Sequence, residues 1–242
     1  AGTDQDVLLV ERDNNLGGIL RNSNKIKSID GQKSADWIEK TEWLLKSANN
    51  IKILKNTTVT TYNYKDHLIA IEDKTVGTPP DNNKPELVMH KIRTKHTVLA
   101  NGHIERFLSF RNNDLPGVML AASFEKYIHR YGVVADTSPV IFTNNSSTFS
   151  LLKTMVDMNH KPKAYVDIRD SKKIEKQTLE LINNHNIPFY PKSEIEGCEG
   201  KNQIEKIFIR TKKDKTLKIK TSMLCISGCL LYTSPSPRDN PA

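Results

Sequence analysis

Between Pro139 and Tyr190, short apolar runs alternate with amphipathic segments, and this alternation constrains the fold more than any other feature. Residues 139–142, 164–168 and 187–190 read as strands. Residues 147–158 and 172–184 read as the helices between them. Parallel strands need long crossovers, usually helical, and strands covered on both faces are apolar throughout. A β-α-β-α-β series of this kind points to a doubly wound parallel sheet.

The same logic applies at the start of the chain. Val7-Leu8-Leu9-Val10 is a continuous apolar run that ends in Glu11 and a polar turn, Arg12-Asp13-Asn14-Asn15, before Leu16-Gly17-Gly18. A helix is expected over residues 35–47, N-capped by Ser34, with Trp37, Ile38, Leu44 and Leu45 on its buried side. A short strand at 51–54 and a hairpin of 57–64 with 67–72, turning at Lys65-Asp66, come next. Residues 77–85 form a loop, 87–92 pair back, and 97–100 read as another strand ending at Asn101-Gly102. After Pro116-Gly117, residues 118–130 have helical spacing and stop at Gly132. A meander (194–198, 203–211, 217–219) and a buried strand at 223–226 close the pattern before Ser227-Gly228.

An α/β segment, a β meander and a terminal strand ending in small residues thus occur over 7–102 and again over 139–228. Two nested Rossmann-like dinucleotide-binding units, of the FAD/NAD(P)-binding, glutathione-reductase-like kind, produce this echo. The expected domains are a first unit with its meander over 1–133 and a second, degenerate unit over 134–228. The glycine-rich G-x-G-x-x-G turn and the strand before it are not in the sequence. The first unit is therefore expected to be N-terminally truncated, lacking its first strand.

The net charge is +8. Its lysines are scattered, and aromatic residues are not interleaved with them as base-stacking sites require. Nucleic acid is not expected as a partner. No run of 18 apolar residues is present, so no membrane span is expected. The three cysteines form no C-x-x-C pair. That spacing argues against a thioredoxin-reductase type of redox disulfide and fits a reducing cytoplasm. The seven histidines are dispersed, with no metal-ligand spacing to Cys or carboxylates.

Glu11 carries the most chemistry. An acid at the end of the second Rossmann strand accepts hydrogen bonds from the two adenosine ribose hydroxyls. It also repels a 2′-phosphate, favouring NAD or FAD over NADP. Gly17 and Gly18 let backbone approach a bulky ligand. Ala100 and Gly102, at the end of the 97–100 strand, would pack against the dinucleotide; a plain exit from strand to turn reads equally well. In the second unit the turn Thr143-Asn144-Asn145-Ser146-Ser147 has no glycine. A pyrophosphate laid against backbone requires one, so this unit is expected to bind no dinucleotide, with Asp167 structural. No complete catalytic constellation is expected within the chain, so catalytic residues are not assigned.

The run Val98-Leu99-Ala100-Asn101-Gly102-His103-Ile104-Glu105-Arg106, followed by Asn112-Asn113-Asp114-Leu115-Pro116-Gly117-Val118-Met119-Leu120-Ala121, resembles the alpha subunit of heterotetrameric sarcosine oxidase. Its pattern there is near A-T-G-x-x-E-R-P…N-N-D-x-P-G-V-M-L-A. The segments 127–133, 142–145, Val10-Glu11 with Leu16-Gly17-Gly18, and Ile226-Ser227-Gly228 extend the resemblance over about residues 1 to 228. Asn101 stands for Thr, Phe107 for Pro, and Arg12 for a second acid.

The resemblance implies NAD in the first unit, beside Glu11, Arg12, Gly17, Gly18, Ile19 and the backbone of Val59. It implies FMN at the alpha–beta interface, FAD in the beta subunit and tetrahydrofolate in a C-terminal domain absent from this sequence. The partners implied are beta, gamma and delta subunits, and the reaction is oxidation of sarcosine to glycine with formation of hydrogen peroxide. A related amine or opine dehydrogenase, a hydrogen cyanide synthase subunit, or a non-catalytic scaffold are the competing expectations. Residues 229–242 resemble translated adapter DNA and are expected to be non-native.

Overall fold

The computed structural model describes residues 4–22, 28–63, 66–77 and 84–232. It divides into two compact units, Ala1–Leu20 with Ile26–Ala100, and Arg21–Lys25 with Asn101–Ala242.

In the first unit β1 (Val7–Val10) is followed by a helical turn, α1 (Ile19–Asn22), that runs on past its boundary. A two-residue hairpin pair, β2 (Ser28–Ile29) and β3 (Gln32–Lys33), leads into α2 (Ser34–Ser47) and β4 (Ile51–Leu54). β1 and β4 pair in parallel, from Val7 opposite Ile51 to Val10 opposite Leu54. A β-α-β unit is therefore present where the apolar run of Val7–Val10 places it. β5 (Thr57–Asn63), β6 (His67–Asp73) and β7 (Leu87–Arg93) form the expected antiparallel meander. The expected turn residue Lys65 and most of the 77–85 loop lie outside the described residues.

Three local expectations fail here. Ser34 opens α2 instead of preceding it, and Lys33, at the N-cap position, makes no side-chain capping hydrogen bond. Leu44 is exposed with Trp43, while Ile38 is buried. Residues 97–100 are not a strand. The parallel sheet of this unit holds only β1 and β4 among the described residues. An apolar run becomes a strand only where a neighbour completes its backbone hydrogen bonds. Without one, Val98 is 89% exposed and Leu99 55%.

The second unit starts with β8 (His103–Glu105), β9 (Val118–Leu120) and α3 (Ala121–Tyr131). Residues 118–130 were expected to be wholly helical. Their first three pair in parallel with a later strand, because the apolar Val-Met-Leu run serves a sheet edge as well as it serves a helix. Then come β10 (Val140–Thr143), α4 (Phe149–Asp157), β11 (Ala164–Asp167), a 3₁₀ turn (Ser171–Lys173), α5 (Lys176–Asn184) and β12 (Phe189–Pro191). The meander β13 (Glu194–Glu199), β14 (Lys206–Arg210) and β15 (Thr216–Lys220) precedes β16 (Leu224–Ser227) and β17 (Leu230–Tyr232).

The central sheet is five-stranded, in the order β12-β11-β10-β16-β9, and every neighbouring pair is parallel. The unit thus draws β9 and α3 from the 101–133 stretch that the sequence pattern groups with the first unit. Alternation of side chains along these strands builds two cores. Ile141, Tyr165 and Cys225 face α3, α4 and α5 through Phe124, Ile128, Leu151, Leu152, Met155 and Ile182. Val140, Phe142, Val166, Leu224 and Ile226 face the β13–β15 meander through Ile195, Ile204, Ile207 and Ile209.

β17 pairs antiparallel with β8. Its residues fall in the 229–242 stretch that was expected to be non-native. Strand addition works through main-chain hydrogen bonds and tolerates many sequences.

Candidate functional site

The carboxyl end of β1 is fixed by backbone on two sides. Glu11 N–H donates to the Leu54 carbonyl at 2.8 Å, and the Glu11 carbonyl accepts from Thr57 N–H at 2.9 Å. The half-buried Glu11 carboxylate accepts the Asp13 N–H at 2.9 Å through Oε1. Oε2 has no protein partner among the described residues. Gly17 and Gly18 follow with φ of 112° and 46°. A Cβ on Gly18 would meet no heavy atom within 4 Å. One open carboxylate oxygen beside an uncrowded glycine turn suits an adenosine ribose diol.

Arg12 and Ile19 are exposed in this turn. The Thr57–Glu11 hydrogen bond brings the start of β5 to the same strand end. β5 carries Val59, 40% exposed, beside a bulge between Val59 and Thr61. Of the eight expected positions, Glu11 and Arg12 directly follow β1, Gly17, Gly18 and Ile19 lie at the turn into α1, and Val59 lies on β5, which Thr57 ties to Glu11. Ala100 is exposed in the irregular stretch after β7, and Gly102, with φ of 70°, belongs to the second unit.

In the second unit, strand order reverses between β10 and β16. Doubly wound folds bind ligands outside the carboxyl ends of the strands at such a point. Here the point is filled by polar side chains bonded to one another. Asn145 Nδ2 donates to Ser227 Oγ at 3.1 Å, and Asn145 Oδ1 accepts the Ser147 N–H at 2.8 Å. The Ser147 and Ser227 hydroxyls are 2.7 Å apart. Glu105, 7% exposed, joins them, and burial pushes its carboxyl above the usual carboxylate range.

Asp167, at the end of β11, is fully buried. It is held by Arg169 through Nη2 at 2.8 Å, Nε at 3.1 Å and backbone N–H at 2.8 Å. Arg169 also donates to Ser146 Oγ and to the Asn145 carbonyl, each at 3.0 Å. Both oxygens of the acid that mirrors Glu11 are therefore engaged within the protein. The roles of Glu105 and Arg169 were not read from the sequence. The only local signal was the Asp167-x-Arg169 spacing.

The cysteines are unpaired, and burial pushes the Cys198 thiol up to about 11. Among the described residues no group of three or more His, Cys, Asp or Glu could hold a metal. No helix there is long and apolar enough to cross a membrane.

A surface hollow of about 440 Å³ includes Ile168, Lys192, Glu194 and Arg210 in its lining. Of its charged residues, Lys192 pairs with Asp170 and Arg210 with Glu194. The hydrogen bond from Lys192, then that from Lys172 N–H, lowers the Asp170 carboxyl to about 2. A depressed folded pKa stabilises above the unfolded value, and this contribution is lost as pH falls from near 4 through about 2. In an NMR titration, Lys192→Ala is expected to return Asp170 toward an ordinary aspartate value. An unchanged midpoint would assign the shift elsewhere.

No family model matches the chain. Over 149 residues, 60% of its length, it is 36% identical to sarcosine oxidase subunit alpha of Corynebacterium sp. (strain P-1). The chain is similar to part of that subunit. Over 183 residues it is 31% identical to the subunit of the same name from Rhizobium meliloti (strain 1021). These matches cover 15% and 18% of the relatives, so the chain spans less than a fifth of their length.

Among solved structures, thioredoxin reductase from T. acidophilum superposes with a TM-score of 0.64 at 13% identity, covering 94% of this chain and 70% of the other. A NAD-dependent persulfide reductase from A. fulgidus gives 0.64 at 10% identity, over 96% and 42%. At these identities the likeness establishes the fold, a mixed α/β architecture with Rossmann-like parallel sheets.

Proposed function

We propose that this chain is part of an oxidoreductase subunit of the sarcosine oxidase alpha type, and that its first unit contributes the adenosine side of a NAD site. The observation that carries this reading is Glu11, with one carboxylate oxygen open at the end of β1 before Gly17 and Gly18. Arg12, Ile19 and Val59 border the same site. The second unit takes no dinucleotide and serves to build the subunit.

The complete assembly oxidises sarcosine to glycine with formation of hydrogen peroxide. It does so with FMN, FAD and tetrahydrofolate held elsewhere and with beta, gamma and delta subunits as partners. The names of the relatives and the Asn112–Gly117 run support this over an opine-type or cyanide-forming relative. The setting is cytoplasmic. Residues 229–242 contribute nothing to the activity.

NADH binding, followed by fluorescence, tests the site. Glu11→Ala removes a charged acceptor of two hydrogen bonds, each worth about 1.5–3 kcal/mol. At least a tenfold loss of affinity is expected; equal binding by the variant would remove Glu11 from the site. The purified chain is expected to produce no peroxide with sarcosine. Peroxide formation by this chain alone would show that the oxidation does not need the assembly.

A further inference from the structure

Glu105 does more than fill space in the second unit. Its Oε2 accepts the Ala122 N–H at 2.8 Å, in the first turn of α3. Leu120, the residue at the N-cap position, offers no side-chain cap, so Glu105 supplies one from a distant segment. A carboxyl oxygen there satisfies an N–H group that has no partner within the helix. Oε1 lies 3.4 Å from Ser147 Oγ, which stands just ahead of α4. Ser147 Oγ in turn lies 2.7 Å from the Ser227 hydroxyl at the end of β16. The group is thus held between two helix starts and at the carboxyl ends of β10 and β16, with 7% of the residue exposed.

Its backbone is fixed as well. Arg106 N–H donates to the Cys229 carbonyl and Gly228 N–H to the Arg106 carbonyl, both at 2.8 Å. A Cβ on Gly228 would stand 2.6 Å from that same Arg106 carbonyl oxygen. The absence of a side chain at 228 lets the Glu105 segment cross the strand ends this closely.

We propose that Glu105 is a built-in occupant of the oxyanion position at the second unit's switch point. It takes the donors that would otherwise meet an external phosphate, and so closes this crevice to nucleotides. The site is specific for oxyanions in general: donors are N–H and hydroxyl groups, and no base-recognising groove is involved. This deepens the reading of the second unit as non-binding. It does not depend on NAD binding in the first.

The test is chemical rescue, with inorganic phosphate and acetate as probes and chloride at matched ionic strength as control. Glu105→Ala empties the position. Its thermal midpoint is expected to rise by about 5 °C at a phosphate concentration roughly fifty times the dissociation constant. Wild type and Glu105→Gln, in which the position stays filled, are expected not to respond. Glu39→Ala, which removes an exposed glutamate and changes the net charge equally, controls for non-specific binding to a basic surface.

Selective stabilisation of Glu105→Ala supports the proposal. A response equal to that of Glu39→Ala overturns it. If Glu105→Ala does not fold in chloride, its refolding yield decides: recovery in phosphate or acetate supports the proposal, and failure in both overturns it. No nucleotide enters the experiment, so failure of the NAD site would leave this result unchanged.

Discussion

Arg169→Met is expected to destabilise the second unit by about 3–5 kcal/mol, the cost of leaving a buried charge without its partner. Asp167 is fully buried at the end of β11. In the variant it keeps the backbone N–H of position 169 and loses both guanidinium bonds. The loop that follows β10 loses two donors at once, because Arg169 also holds Ser146 Oγ and the Asn145 carbonyl. Urea unfolding measures the loss. The paired replacement Asp167→Leu with Arg169→Met removes both charges, and it is expected to recover most of the stability. A single variant within about 1 kcal/mol of wild type would show that solvent reaches Asp167 and screens it.

Gly117→Ala is expected to be comparably damaging, at about 3 kcal/mol or more. Gly117 has φ of 97°, and a Cβ there would stand 2.4 Å from the Ser222 carbonyl oxygen and 2.9 Å from Ile204 Cγ1. A backbone oxygen cannot yield as a side-chain tip can. The position immediately precedes β9, and the Gly117 carbonyl accepts Leu224 N–H at 2.8 Å, which helps set the β9–β16 register. Gly132→Ala provides the comparison. Gly132 ends α3 with φ of 66°, and a Cβ there meets nothing within 4 Å. Only the left-handed backbone cost of roughly 1–2 kcal/mol applies. Equal losses at the two glycines would remove the steric argument for Gly117.

The elements legible in the sequence are those whose residues answer to their immediate neighbours. β10, β11, β12 and the helices between them were readable because strands buried on both faces must be apolar throughout. The 97–100 run has the same composition and forms no strand, since a strand depends on a partner that local sequence does not specify. Val118–Leu120 reads as the first turn of a helix, yet it forms the edge of the sheet beside β16. Leu44 suits a buried helix face by spacing and is exposed, because burial needs an opposing surface as well as a period.

The candidate site divides along the same line. Glu11, Gly17 and Gly18 are close in sequence, so the spacing of acid and glycines carried most of their reading. Glu105 acquires its role from Ala122 and Ser147, at separations of 17 and 42 residues.

By itself, the sequence determined that this is an α/β chain with a β-α-β start, an acid and two glycines at the end of its first strand, and no glycine turn in its second unit. It also carried the resemblance to the sarcosine oxidase alpha subunit, through residues 98–121. Tertiary structure alone decided that Asp167 is neutralised by Arg169 and that Glu105 occupies the switch point. Residue type and spacing express local propensity and burial. A buried charge instead takes its role from the donors that the fold places around it, and those come from several separate segments of the chain.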